Sequence, residues 1–398
     1  MCAPRRQGLG CAGAGLVDGG IPEEAVHRLG WPHWLLLALD GDALTSVPWT
    51  REGTRHALIE TSAGGPMDRR GFLITTGASL AGTALAWSSA TASAASNPYP
   101  RIGSEAITSL STRLAHLSRL DDVWGSGKLR DLAAAELRLL TGLITDTTHT
   151  TEVEQGLYGL AAEAARLCGW LSYDSGHHAA AQRYYLTALR ASATAGDTLV
   201  GANTMAFMAI QLYSRGNPQD AVALVETAQR SIRGRATPKT IAILHARQAR
   251  ALSKLGDQSR CATALNAAFD AITKGCDHEP SWCYWINTTE LHMLAGSCAL
   301  DLGDARRAVH HFTTAKDSFD IATYPAGAVI YLARAAEAHL ALGDPDAAAD
   351  LCLQAVRCHD SIDSARADRT LAALRARLAR HRTPVVREFL DQIPPSSA

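Results

Sequence analysis

Five glycines constrain this chain more than any other feature: Gly176, Gly216, Gly256, Gly303 and Gly343, spaced 40, 40, 47 and 40 residues apart. Each stands in the same local frame. Seven residues before it is a small residue (Gly169, Ala209, Ala249, Gly296, Ala336), five after it comes Ala181, Ala221, Cys261, Ala308 or Ala348, and twelve after it Ala188, Ala228, Ala268, Ala315 or Ala355. Small side chains at fixed offsets let two helices approach closely, and a glycine between them suits a helix end that turns through left-handed backbone. A helical hairpin recurring at such a period cannot bury its apolar face alone, so the units must stack. After the turn, Asn217, Asp257, Asp304 and Asp344 offer a side-chain oxygen to the free N–H groups of the second helix, and Pro218 and Pro345 take its first position. His177 stands at that place in the first unit, which is expected to diverge most.

The 398 residues are 47% hydrophobic, enough for one long stacked array or two to three domains. Alanine-rich, aromatic-poor segments with few β-branched alternations predict an all-α fold. A net charge of -1 provides no overall attraction to nucleic acid or an acidic membrane, so DNA binding is not expected from this chain alone. Of nine cysteines, Cys168, Cys261, Cys298, Cys352 and Cys358 fall inside predicted helices, which suits buried reduced thiols and a cytoplasmic location. The sequence has no nucleophile elbow, Gly-rich phosphate loop or His-Glu-x-x-His run, so neither an enzyme nor a cofactor is expected. Cys276, His278 and Cys283 offer three metal ligands without a recognisable fourth, and no metal site is expected.

Taken in order, residues 1–66 read as a partly disordered N-terminal remnant, with short helices expected over Ile21 to Ala38 and Trp49 to Ser62. Residues 67–100 form a linker helix opening on Met67-Asp68-Arg69-Arg70-Gly71-Phe72-Leu73. Read from Met67, Arg69, Arg70, Phe72 and Leu73 followed by an apolar run and Ala92-Ser93-Ala94 have the order of a twin-arginine export signal. Its internal position favours a linker helix instead. Residues 101–150 supply capping helices, expected at Ser104 to Leu120 and Lys128 to Thr145 and parted by Asp121 to Gly125. Repeats fill 151–364, and a C-terminal capping helix from Ala365 to about Ile393 ends the chain.

The pattern of small residue, Gly-Asp or Gly-Asn, Ala and Ala resembles the tetratricopeptide repeat, though the period is longer than the usual ~34 residues and the closing proline is missing. The Arg-Arg-x-Phe-Leu run and the Pro280-x-Trp282-x-Tyr284-Trp285 insertion, followed by Glu290, Leu291 and Ala295-Gly296, are similar to those of actinobacterial (Streptomyces-type) Xre-like helix-turn-helix transcriptional regulators. The resemblance covers roughly Trp49 to the C-terminus, and the DNA-binding domain is missing or truncated. It implies a tetratricopeptide-like α-solenoid of about five hairpins with capping helices, and a non-enzymatic regulator that binds a peptide or protein partner and is able to form a homodimer.

Stacked hairpins present their first helices on a concave face. By repeat register that face should carry Glu163, Arg166, Trp170, Tyr173, Asn203, Ile210, Tyr213, Arg247, Arg250, Arg334 and Glu337. The Asn203 amide suits a peptide backbone, and Arg166, Arg247, Arg250 and Arg334 suit a carboxylate.

Overall fold

The computed structural model describes residues 47–63, 102–275, 278–316, 324–359 and 362–392, with helical positions 80, 83, 84, 86 and 87. The expected helix at Ile21 to Ala38, the arginine run at 67–73 and Cys276 lie outside the described residues. Among the described residues the chain is all-helical, with no strand. The helices are α1 (Arg51–Ser62), α2 (Ser104–Trp124), α3 (Arg130–Asp146), α4 (Thr151–Asp174), α5 (His178–Ala195), α6 (Thr198–Ser214), α7 (Pro218–Ser231), α8 (Pro238–Lys254), α9 (Gln258–Ile272), α10 (Thr288–Asp301), α11 (Ala305–Lys316), α12 (Pro325–Ala341), α13 (Pro345–His359), α14 (Ala365–Leu378) and α15 (Pro384–Gln392).

Five hairpins, α4/α5 to α12/α13, pack in succession, and each turn is built the same way. The five anchor glycines have φ between 74° and 85°. The residue after each glycine donates its N–H to the carbonyl five positions back: His177 to Ser172, Asn217 to Leu212, Asp257 to Leu252, Asp304 to Ala299 and Asp344 to His339. This is the wide hydrogen bond of a Schellman turn, which needs a left-handed residue inside it. Asp257, Asp304 and Asp344 then cap Arg260, Arg307 and Ala347 at 3.0 Å. Asn217 does not cap: its amide turns back to donate to the Arg215 carbonyl.

The residue seven before the glycine is matched to the one nine after it. A Cβ on Gly169 would stand 2.5 Å from the Tyr185 ring, and one on Gly296 would stand 2.8 Å from Phe312. Where that partner position holds the smaller Val225, Leu265 or Cys352, the facing position is Ala209, Ala249 or Ala336. Each hairpin thus fills the same volume with a small and a large residue in opposite places. The alanines at the other two repeat offsets are fully buried.

Elements outside the hairpins pack against them. Helix α1 is started by Thr50, whose hydroxyl accepts from Gly53, and it docks on α3 and α5. Thr54 and Thr61 hydrogen-bond Thr194 and Thr187, Arg51 pairs with Glu154, and Leu58 is wholly buried. Arg190 of α5 holds the backbone before α1 by donating to the Val47 and Pro48 carbonyls while lying over the Trp49 ring. Farther on, Leu80, Ala84 and Trp87 are helical and buried; the Trp87 indole donates to Ser192 Oγ at 2.9 Å and covers Gly201, where a Cβ would collide with it.

At the other end the chain meets its own beginning. Helix α2 runs through Trp124 rather than breaking at Asp121 as the sequence suggested, because Asp121 is buried and fixed by Ser126 and by the Trp170 indole. It stops at Gly125, φ 76°, and there Asp363 N–H donates to Trp124 O while Gly127 N–H donates to Asp363 O. A Cβ at Gly125 or Gly127 would strike Ile362 or Asp363. Helix α2 also touches α12, and Arg366 at the start of α14 pairs with Asp174 at the end of α4 at 2.6 Å. The expected single C-terminal helix is two, α14 and α15, folded onto α13. The array is closed by this seam, with the first helices of the hairpins inside.

Candidate functional site

Closure turns the inner face into a cavity of about 490 Å³. Its wall is built from the C-terminal halves of α4, α6 and α8, from α10, α12 and α14, from the end of α2 and from the connection between α9 and α10. That connection accounts for the single 47-residue spacing. It forms a 3₁₀ turn at Ser281–Cys283 that buries Trp282 and Cys283 and aims Tyr284 and Trp285 into the cavity.

Among the residues read from the repeat register, Arg166, Trp170, Tyr173, Ile210, Tyr213, Arg247, Arg250, Arg334 and Glu337 line this wall. Glu163 and Asn203 do not, because the lining of α4 and α6 begins only at Arg166 and Phe207, a turn farther along each helix. Asn203 is 2% exposed and its Oδ1 has no hydrogen-bond partner, so it is packed below the cavity rather than presented to it.

The arginines divide into two groups. Arg250 and Arg334 are answered from inside the protein: Asp301 accepts from them at 2.5 and 2.7 Å and from Lys254 at 2.9 Å, and Glu337 takes the other end of Arg334 at 2.6 Å. Burial alone would raise the Asp301 carboxyl, but the three cations outweigh it and hold the group below the usual carboxylate range. Arg366 is likewise committed to Asp174. Arg250 and Arg334, expected to receive a ligand carboxylate, thus already bond carboxylates of the protein itself.

Arg166 and Arg247 are different. They are 5% and 7% exposed, make no ion pair among the described residues, and each buries an Nε without an acceptor. What supports them is aromatic: Arg166 lies over Phe207 at 4.6 Å and Arg247 over Trp285 at 5.1 Å, and those two rings meet edge to face. Burial lowers the affinity of Arg166 for its proton, the mark of a cation short of solvation.

The same wall carries three carboxyl groups whose inward placement the sequence pattern did not reveal. Asp121 gives both oxygens to Ser126 and Trp170, and burial with the neighbouring Asp174 charge pushes it up to about 6. Asp122 accepts from the Tyr284 hydroxyl at 2.7 Å and is pushed up to about 7, mainly by burial. Glu290 accepts from Tyr331 and is raised by burial. None of the three has a cation within ion-pairing distance among the described residues. Asp121 and Asp122 had read as a linker between helices; Tyr284, Trp285 and Glu290 were visible as an unusual run but carried no register that pointed inward.

No protein-family model matches the chain, and a search of curated proteins finds no match.

Proposed function

We propose that this chain is a non-enzymatic regulatory protein whose hairpin array, of tetratricopeptide type, binds a short peptide or the free end of a protein partner inside the central cavity. The observation that carries this reading is the pair Arg166 and Arg247, two buried guanidiniums that make no ion pair among the described residues and line a cavity roomy enough for a ligand. Buried charges are normally paired, and an anion entering this site gains charge-assisted, bidentate hydrogen bonds in a water-poor setting. About 490 Å³ suits a small molecule or a few residues of peptide, not a folded domain. A binder rather than a catalyst is favoured because several polar side chains of the wall are tied into the scaffold, Asp121 by Ser126 and Trp170 and Arg250 by Asp301. Groups held so firmly recognise a shape.

The regulatory part of the reading rests on the resemblance to Xre-like regulators, with no DNA-reading element assigned in this chain. Export from Met67 is disfavoured by packing. A signal removed near Ala95 would take Leu80, Ala84 and Trp87 out of the core, and a start at Met67 would also remove α1. No helix among the described residues is long and apolar enough to cross a membrane.

Isothermal titration with a mixture of synthetic tripeptides checks the carboxylate. Peptides with a free C-terminus should bind, their C-amidated counterparts should not, and Arg247→Met should lose binding while keeping its helical circular dichroism. Equal binding of amidated peptides would refute the reading.

A further inference from the structure

The cavity wall carries opposite charges that do not close into ion pairs with one another. Among the described residues Arg166, Arg247, Asp122 and Glu290 make no ion pair, although Glu163 lies near Arg166, Arg119 near Asp122 and Arg247 near Glu290, and all four line one space. Oppositely charged side chains buried together ordinarily pair, since an unpaired buried ion gives up its hydration without compensation. Here each carboxyl is held instead by a tyrosine, Asp122 Oδ2 by Tyr284 and Glu290 Oε1 by Tyr331, which fixes its direction and leaves its second oxygen without a partner among the described residues. The aromatic stack of Phe207 and Trp285 holds the guanidiniums in place on their side. Two poles without ion pairs among the described residues face a common void.

We propose that the ligand is two-ended: its carboxylate sits on Arg166 and Arg247 and an ammonium group sits between Asp122 and Glu290, as in a short peptide with both termini free. This rests on the carboxylate reading above and adds the second pole. Each pole supplies what the other lacks, so one zwitterion pairs with three buried groups and the half-buried Asp122 at once, whereas a simple anion would pair with neither Asp122 nor Glu290. The aromatic side chains Trp170 and Tyr213 of the same wall give side chains of such a ligand apolar surface to cover. The Asp122 end also responds to pH. Its neighbours are Asp121 and Glu290, which oppose its ionisation, and Arg119 and Tyr284, which favour it.

The test uses the full chain and three mixtures of tripeptides of identical side-chain composition: both ends free, N-acetylated, and C-amidated. N-acetylation should weaken binding by about 10- to 100-fold, the worth of a charged hydrogen bond. Asp122→Asn, which keeps an oxygen for Tyr284, should bring free and acetylated peptides to the same affinity, and Glu290→Gln serves as a second variant. Between pH 5.5 and 7.5 the free-amine peptides should gain affinity and the acetylated ones should not. If acetylated peptides bind as tightly as free ones while amidated ones fail, the two-ended ligand is wrong and the carboxylate site survives. If amidated peptides bind as well as free ones, or none of the three binds at millimolar concentration, both are wrong.

Discussion

Arg247 lies over Trp285 with a buried Nε that has no acceptor, and Arg166 repeats the arrangement over Phe207. A protein selected only for stability would place apolar side chains there, because replacing uncompensated buried charge with a hydrophobe of similar volume is neutral or stabilising by about 1–4 kcal/mol. Arg166→Met and Arg247→Met should therefore leave the ligand-free urea midpoint unchanged or higher while removing peptide binding; a large fall in the midpoint would show that the arginines are structural. Asp122 makes the converse point through pH. Its folded pKa of about 7 lies above the ordinary 3.8, so the folded chain holds this proton more tightly than the unfolded one. Stability from this group is present below about pH 4 and is lost as pH rises through 7. Asp122→Asn should match the wild type near pH 4 and exceed it by on the order of 1–3 kcal/mol at pH 7.5, as read by chemical unfolding at the two pH values.

Each hairpin obeys a local rule that can be broken and repaired. Gly169 admits Tyr185 and Gly296 admits Phe312, where other hairpins pair alanine with valine, leucine or cysteine. Gly169→Ala should cost about 1–3 kcal/mol by overpacking, and Tyr185→Leu in the same chain should recover much of it by recreating the Ala249 and Leu265 pair, a coupling visible in a double-mutant cycle. The Asp301 cluster ties α8, α10 and α12 together, so Asp301→Asn should cost about 3–5 kcal/mol in the same unfolding measurement. These devices separate what could be read in advance from what could not. The turns were legible because a left-handed glycine and its flanking caps are decided within six residues of chain. The inward face of α4, α6, α8 and α12 followed from that register, except at Glu163 and Asn203, where direction was right and depth along the helix was not. Asp121 to Gly125 misled because acidic residues and glycine resemble a linker, whereas Ser126 and Trp170, the latter forty-nine residues away, hold Asp121 within a continuous helix. Local sequence contains no trace of such a partner.

Over the whole molecule, the decisive event is the meeting of Trp124, Gly125 and Gly127 with Ile362 and Asp363, two segments more than two hundred residues apart. An open array would present a long shallow groove to a folded partner; the closed one presents a cavity with charged poles. Closure also supplies a means of response, because a ligand that bridges α2, α4, α8 and α10 favours the closed arrangement by its differential affinity for it. Hydrogen–deuterium exchange at the amides of Gly127 and Asp363, whose acceptors are Asp363 O and Trp124 O, measures that seam directly. Closure predicts protection of both amides well above unfolded-chain rates without ligand and a further rise with free tripeptide, whereas exchange at unfolded-chain rates beside a protected α8 would contradict it.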